Sequence, residues 1–178
     1  EPYLGCVIVP AALIKAAGNA EQRTALSEGL ATGETIYAFA HTEPGQRYER
    51  DAVSLSATAS GNGYVLNGKK VSVLGGDCAD KLIVSAKVAG DAGASLFVVD
   101  AKAAGAKRLA YPMQDAQRGA DIEFVNVAIS ADALLGERGE AQAAIDYALD
   151  VACAALCAEA VGAMAELQKI TIEYLKTR

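Results

Sequence analysis

The sequence predicts an α+β fold, in which a middle domain forms an antiparallel β-barrel or β-sandwich and helices flank it on both sides. Two observations support this fold class. The hydrophobic period changes from helical to alternating near residue 35 and returns to helical near residue 139. Between these positions, short β-prone runs alternate with Gly, Asn and Asp turns, which is typical of antiparallel sheets.

Residues 4–32 are predicted to form two short helices. The first is apolar, contains Pro10 at or near a turn, and is closed by Gly18. Asn19 is a favourable N-cap for the second helix, because its side chain can accept a hydrogen bond from the first turn. The second helix is expected to end at Gly33, since glycine adopts a left-handed conformation without strain.

Eight short segments of the middle region are predicted to be strands. They are Thr35–Ala40, Val53–Ala59, Tyr64–Leu66, Lys70–Leu74, Lys81–Val88, Ser95–Asp100, Lys107–Ala110 and Ile122–Val127. The stretch Ser60–Gly63 predicts a hairpin turn. Asn67–Gly68 predicts a second tight turn, of type I′, in which both central residues need positive φ.

The last region, residues 139–178, is predicted to be one long helix without proline. At 1.5 Å per residue, a helix of about 38 residues is roughly 57 Å long. Its length suits a membrane span, but Asp150 and Glu159 lie within its apolar part, so no membrane partner is expected. A helix that is apolar on all sides needs other helices around it. The sequence therefore indicates a truncated protein, an obligate oligomer, or both.

Composition excludes several classes of function. The formal net charge is −6 and Lys or Arg residues stand in pairs at most, so no nucleic-acid partner is expected. The four cysteines form no CxxC and only one histidine is present, so no metal site is expected. Cys153 and Cys157 are expected to be buried in their helix. This cysteine usage favours a reduced, cytoplasmic protein.

Four segments together resemble the acyl-CoA dehydrogenase family. They are Ala40–Gly45 (AHTEPG), Gly63–Lys70 (GYVLNGKK), Ser95–Asp100 (SLFVVD) and Leu134–Glu137 (LLGE). Each motif alone is weak, but four in the family's order, with helical flanks, are specific. The resemblance implies that residues 1–36 end an N-terminal helical domain and that residues 37–138 form the middle β-domain. Residues 139–178 would be the first helix of a C-terminal four-helix bundle that builds a tetramer.

One branch of the family is closer than the others. Ala38–Pro44, Arg47–Tyr48, Leu82–Ala86, Tyr111–Pro112 and Ala155–Ala163 resemble the small subunit of pimeloyl-CoA-type dehydrogenases. These subunits pair with a larger homologous subunit. The implied partners are therefore an acyl-CoA substrate and a second dehydrogenase subunit, in a homotetramer or heterotetramer.

The family reaction implies FAD as cofactor. A proton leaves the α-carbon of the acyl-CoA thioester while the β-hydride goes to flavin N5. The "TEPG" strand of the family lies along the flavin ring, which makes Phe39, His41 and Thr42 candidate cofactor-binding residues. The alternatives are a Thr42 hydroxyl bonded to local backbone and a His41 that is an ordinary strand residue. Catalysis by His41 is disfavoured, because no nucleophile motif such as GxSxG accompanies it.

Two departures from the family pattern concern the same cofactor site. The family's Trp–Thr pair after the hairpin aligns with Ser72 and Leu74, which removes a stacking surface and a hydroxyl. Two alternatives therefore stay open: FAD binds this subunit, or its binding is weakened or absent there. After "TEPG", larger residues replace the family's small ones. Among them, Arg47 and Tyr48 are candidates for binding a CoA phosphate or a substrate carboxylate, or else belong to a solvated loop.

No catalytic residue is predicted within the chain. In some family members the base lies on the long helix, where the aligned position is Ala152, which cannot abstract a proton. Two hypotheses of function follow: an FAD-dependent acyl-CoA dehydrogenase subunit whose base lies outside this chain, or a flavin-poor partner subunit with a structural role. A third is a β-barrel binding module for an apolar ligand, which the long apolar helix disfavours. The fragment alone is predicted to be inactive.

Overall fold

The computed structural model describes residues 2–178 and contains three helices and eight strands. A π-helical turn, Leu4–Ile8, leads into α1 (Val9–Ala17), which is followed by α2 (Ala20–Thr32), and α3 (Gln142–Thr177) ends the chain. A short 3₁₀ turn covers Ala131–Ala133. The strands are β1 (Tyr37–Ala40), β2 (Ser56–Ser60), β3 (Gly63–Leu74), β4 (Lys81–Val88), β5 (Ser95–Asp100), β6 (Ala106–Pro112), β7 (Arg118–Ser130) and β8 (Leu134–Leu135).

The two N-terminal helices form where the sequence predicts them. Asn19 Oδ1 accepts from Gln22 N at 2.9 Å and Gln22 Oε1 accepts from Asn19 N at 3.1 Å, which is a reciprocal capping box. Gly33 ends α2 in the left-handed region at φ 74°. The turn expected at Pro10 is wrong. Pro10 lies in the first turn of α1, where a missing backbone N–H is tolerated.

The strands form one mixed, largely antiparallel sheet in the order β6-β7-β3-β2-β4-β5-β8. Strand β4 pairs in parallel with β1 along its first half and with β2 at Lys87–Val88. The sheet ends at β6 and β8, so it is open and does not close into a barrel. The predicted α+β class is confirmed, with helices packed on a largely antiparallel sheet.

The type I′ turn predicted at Asn67–Gly68 is wrong. Strand β3 runs unbroken from Gly63 to Leu74, and Gly68 lies at a register shift with φ 143°. Both halves of β3 pair with β7, so the glycine forms a bulge instead of reversing the chain. The Asn67 side chain accepts from Asn126 N at 2.8 Å across this bulge. The hairpin turn lies between Ser60 and Gly63, as predicted.

Two apolar cores lie on opposite faces of β4. Leu82 and Val84 pack inside the curved sheet with Phe97. Ile83 points the other way and packs with Leu13 of α1 and other apolar residues beneath the helices. This alternation follows from the period of two along a strand. The packing on the outer face of β4 holds α1 and the start of α3 over β1 and β4.

Most of α3 has no cover within residues 2–178. Its buried residues are Ala144, Ile145 and Ala148, and every residue from Leu156 onward is exposed. Cys153 and Cys157 are exposed too, contrary to expectation, because this part of the helix extends beyond the sheet. By length and composition alone, α3 is long and apolar enough to cross a membrane.

Candidate active site

A cavity of about 190 Å³ lies between the end of β1, the last residues of β3, the N-terminal turn and α3. The structure brings all five predicted cofactor-binding residues to its wall. They are Phe39, His41, Thr42, Ser72 and Leu74, and they face Leu149, Ala152 and Leu156 of α3. In the sequence, these five residues fall in two segments about 30 positions apart. The pairing of β1 and β3 with their neighbours brings the two segments together at the cavity.

Phe39 and His41 form a stacked aromatic pair in the wall. They lie on one face of β1 and the residue that follows it, with ring centroids 5.0 Å apart and ring planes 7° apart. The carbonyl of Thr42 accepts from Val71 N at 2.8 Å, which ties the end of β1 to β3. The Thr42 side chain is exposed, and its hydroxyl makes no intramolecular hydrogen bond within residues 2–178. Its predicted flavin contact stays a prediction.

Ser72 occupies an irregular position in β3. Its φ is 53°, in the left-handed region, within a second bulge of the strand. Ser72 N donates to Tyr111 Oη at 3.2 Å and to Asp121 Oδ1 at 3.3 Å. Asp121 also pairs with Lys69 at 2.8 Å, and this contact holds the pKa of Asp121 below its usual range. A polar network behind the strand therefore presents Ser72 to the cavity.

A buried ion pair lies beside the cavity. Lys70 is fully buried, and its ammonium donates to His41 O at 2.9 Å, Glu43 Oε1 at 2.7 Å and Ser85 Oγ at 2.9 Å. These three bonds use all three donors of the lysine. Burial lowers the pKa of Lys70 to about 8, against the opposing effect of Glu43, so the side chain is charged at neutral pH.

Glu43 holds the loop that follows β1. Its carboxylate accepts from Leu55 N at 2.9 Å, from Ser54 N at 3.0 Å and from the Ser54 hydroxyl. Burial alone raises the pKa of Glu43, but the hydrogen bonds from Lys70 and Ser54 outweigh it and leave that pKa below its ordinary value. The "TEPG" segment thus has a structural anchor in its glutamate.

The sequence analysis did not predict this hydrogen-bond network of Lys70, Glu43 and Ser85. Lys70 lies at an inward-facing position of β3, and Ser85 lies in the apolar run of β4. A charged residue at an alternate position among apolar ones was the available signal. Both ends of the ion pair fall in the quoted motifs, since Glu43 is in AHTEPG and Lys70 ends GYVLNGKK.

His41 is buried and binds through one ring nitrogen. Nδ1 lies 2.9 Å from Ser85 Oγ. Nε2 is the one buried side-chain nitrogen or oxygen in residues 2–178 without a hydrogen-bond partner. Burial lowers the pKa of His41 to about 4, the charge of Lys70 adds to this effect, and Glu43 opposes it. The imidazole is therefore neutral at physiological pH.

The two predicted substrate-binding residues do not line the cavity. Arg47 is exposed and Tyr48 is 94 % exposed, and both backbone N–H groups donate to the Glu49 carboxylate at 3.1 Å. The next basic residue connects this loop to α3 instead. Arg50 Nη1 lies 2.8 Å from Asp150 Oδ1.

The lining of the cavity contains no aspartate or glutamate among residues 2–178. Ala152, which the family resemblance aligns with a helix-borne base, presents only a methyl group to the cavity. Asp150 lies on the same helix and forms an ion pair with Arg50. No group of three or more His, Cys, Asp or Glu side chains lies close enough to hold a metal ion within the same residues. The cavity thus offers a largely apolar wall with few polar groups.

Comparisons with known proteins identify relatives that share this architecture. The family model described as "Acyl-CoA dehydrogenase, middle domain" matches residues 38–127. The 3-(aryl)acrylate reductase of Clostridium sporogenes is 29% identical over 170 residues, which cover 90% of this chain and 44% of that protein. The structure of PigA with FAD and proline has a TM-score of 0.86 at 28% identity, over 96% of this chain and 46% of PigA.

An acyl-CoA dehydrogenase from Geobacillus kaustophilus has a TM-score of 0.72 at 29% identity, over 83% of this chain and 40% of that one. The chain therefore spans less than half the length of these relatives. The family model covers half of the chain, from the strand that carries Phe39 to the strand that carries Phe124. The chain belongs to the acyl-CoA dehydrogenase family and contains its middle domain.

Proposed function

We propose that this chain is part of an FAD-dependent acyl-CoA dehydrogenase that desaturates the α,β-bond of an acyl-CoA thioester. When bound, FAD supplies the hydride acceptor, and the catalytic base comes from outside these 178 residues. The observation that supports this function is the single cavity that collects Phe39, His41, Thr42, Ser72 and Leu74. PigA, whose structure contains FAD, is similar over nearly the whole chain.

The residues present fit one side of a planar cofactor. The stacked pair of Phe39 and His41 contributes aromatic surface, and Thr42 adds a free hydroxyl. The cavity, at about 190 Å³, is smaller than the range of about 300–1,000 Å³ typical of cofactor sites. We infer that residues outside this chain complete the site.

Helix α3 supports the proposed division into residues 1–36, 37–138 and 139–178. Charged residues recur along one stripe of its exposed part, where Lys169 pairs with Glu166 at 3.6 Å and Lys176 pairs with Glu173 at 3.5 Å. The other sides of α3 are apolar, as in a helix of a bundle that exposes one face to solvent. We propose that α3 packs against other dehydrogenase helices in a homotetramer or heterotetramer of the pimeloyl-CoA branch. The free cysteines favour a cytoplasmic location.

A second candidate function is a flavin-poor partner subunit. Leu74 is held under the N-terminal turn, where a Cβ on Gly5 would lie only 2.7 Å from Leu74 Cβ. Ser72 supplies no aromatic surface, and its left-handed φ disfavours a bulky residue there. These two positions favour a subunit that has lost part of the flavin contact surface and serves mainly in assembly.

Substitution of Thr42 tests the FAD site directly. Thr42→Val keeps the shape of the side chain and removes the free hydroxyl, so FAD binding to the full-length protein is expected to weaken about threefold to tenfold, the loss of one hydrogen bond. The measurement is a flavin fluorescence titration. Thr58→Val, on the exposed side of β2, is the matched control and is expected to leave the dissociation constant unchanged. Equal affinities of the two variants would contradict the proposed site.

A further inference from the structure

Two of the four free cysteines, Cys6 and Cys78, lie next to each other, although about 70 residues separate them in the sequence. Both sulfurs contact Gly75. A Cβ on Gly75 would overlap Cys6 Sγ, and Cys78 Sγ donates to Gly75 O at 3.4 Å. Gly75 has a φ of 67°, in the left-handed region that glycine adopts without strain. The close approach of the two cysteines therefore depends on glycine at this position.

The two thiols also form a hydrogen bond with each other, in which Cys6 donates to Cys78. Burial raises the pKa of Cys6 to about 12, and the neighbouring Cys78 adds to this effect. Burial and the charge of Asp77 raise the pKa of Cys78, while the hydrogen bond from Cys6 lowers it in part. Both groups are therefore protonated thiols at neutral pH.

The two cysteines differ in their access to solvent. Cys6 is 5 % exposed, within the π-helical turn Leu4–Ile8. Cys78 is exposed and lines a cavity of about 470 Å³, so a dissolved reagent reaches Cys78 first. Within residues 2–178 the pair belongs to no group of three or more His, Cys, Asp or Glu side chains that could hold a metal ion. A structural zinc site needs four ligands, so the arrangement suits a disulfide better than a metal.

A bond between the two sulfurs would act on one wall of the candidate active site. Gly5, next to Cys6, packs so closely on Leu74 that no Cβ fits there, and both residues line the site. Cys78 lies in the tight turn after β3, where its N–H donates to the Gly75 carbonyl at 3.2 Å. A disulfide would therefore join the N-terminal turn covalently to the end of β3.

We propose that Cys6 and Cys78 form a reversible disulfide by exchange with a low-molecular-weight disulfide, and that this bond fastens the turn Leu4–Ile8 to the sheet beside the candidate site. Cytosolic disulfides are typically reversible ones of this kind. The Cys78 thiol loses its proton, and its sulfur attacks one sulfur of the small disulfide. That step releases one small thiol and leaves Cys78 in a mixed disulfide.

The buried cysteine completes the exchange. Cys6 loses its proton and attacks the Cys78 sulfur, which releases the second small thiol. The two protein thiols together lose two electrons and two protons, and the small disulfide gains them and becomes two thiols. Since the thiolate is the attacking form and both pKa values are raised, the exchange is expected to take hours at neutral pH.

Mass spectrometry of the wild-type full-length protein tests the bond after incubation with glutathione disulfide and blocking of the remaining thiols in acid. We expect two peptides cross-linked through Cys6 and Cys78, which dithiothreitol separates. Cys157→Ser, at an exposed position of α3, is the matched control and is expected to leave the cross-link unchanged. Wild-type protein in which both cysteines stay free, or in which Cys78 keeps glutathione without a cross-link, would overturn the inference.

Single variants test the order of attack. Cys6→Ser is expected to leave Cys78 with a stable glutathione adduct. Cys78→Ser is expected to leave Cys6 unmodified, because Cys6 is buried. Glutathione on Cys6 in the Cys78→Ser variant would contradict Cys78 as the first thiol to react.

Amide hydrogen exchange of the wild-type protein tests the tether. Oxidation is expected to slow exchange in Leu4–Ile8 several-fold and to leave the capped helix α2 unchanged. Equal exchange of Leu4–Ile8 in the thiol and cross-linked forms would show that the disulfide does not fasten the turn. None of these measurements requires bound FAD, so their outcome is independent of the proposed function.

Discussion

Replacing Lys70 by Met is expected to lower the free energy of unfolding by about 3–5 kcal/mol, the range for removing one partner of a buried ion pair. Lys70 is fully buried and donates to three acceptors at once. Its loss leaves the Glu43 carboxylate, itself 6 % exposed, without a counter-charge. Urea unfolding of the full-length protein, followed by circular dichroism, measures the change.

The neighbouring lysine is the matched control. Lys69 pairs with Asp121 at the surface, with nearly half of its side chain exposed, so Lys69→Met is expected to have a much smaller effect. The double variant Lys70→Met, Glu43→Gln is expected to be more stable than Lys70→Met alone, because the uncompensated charge is gone. Equal urea midpoints for Lys70→Met and Lys69→Met would show that the buried pair does not stabilise the fold.

Replacing Leu167 by Arg is expected to weaken subunit association at least about thirtyfold, as at a central interface position. Leu167 is 64 % exposed within this chain and lies outside the charged stripe of α3. If α3 packs in a helical bundle, the new guanidinium has to be buried without a partner. Sedimentation of the full-length protein over a range of concentrations measures the association.

Lys169→Glu is the control for charge on the same helix. Lys169 lies on the charged stripe, where it pairs with Glu166, so its replacement is expected to leave the assembly unchanged. A Leu167→Arg variant with the same mass and the same concentration dependence as the wild type would contradict bundle packing of this face.

The features that the sequence predicted correctly are local. The N-cap at Asn19, the glycine stop at Gly33 and the hairpin between Ser60 and Gly63 depend on residues a few positions apart. The Asn67–Gly68 turn was wrong because its outcome depends on β7, about 60 residues away along the chain. Turn propensity was outweighed there by strand pairing on both sides of the glycine.

The candidate site shows the same difference between local features, which the sequence can predict, and long-range contacts, which it cannot. Motif positions predicted the five cofactor candidates, and the structure places all five around one cavity. The buried Lys70 and its hydrogen bonds depend on side-chain partners from separate segments of the chain, so no local pattern specified them. The substrate candidates Arg47 and Tyr48 rested on loop composition alone, and the structure places them outside the cavity.

The visible absorption spectrum of the full-length protein, purified without any partner, tests FAD binding at the Phe39–Leu74 cavity most directly. We predict the spectrum of a bound flavin that bleaches when an acyl-CoA is added. A colourless protein that turns yellow only with a co-expressed homologue would identify the flavin-poor subunit instead. A protein that stays colourless with added FAD and with the homologue would contradict a flavin site in this family member.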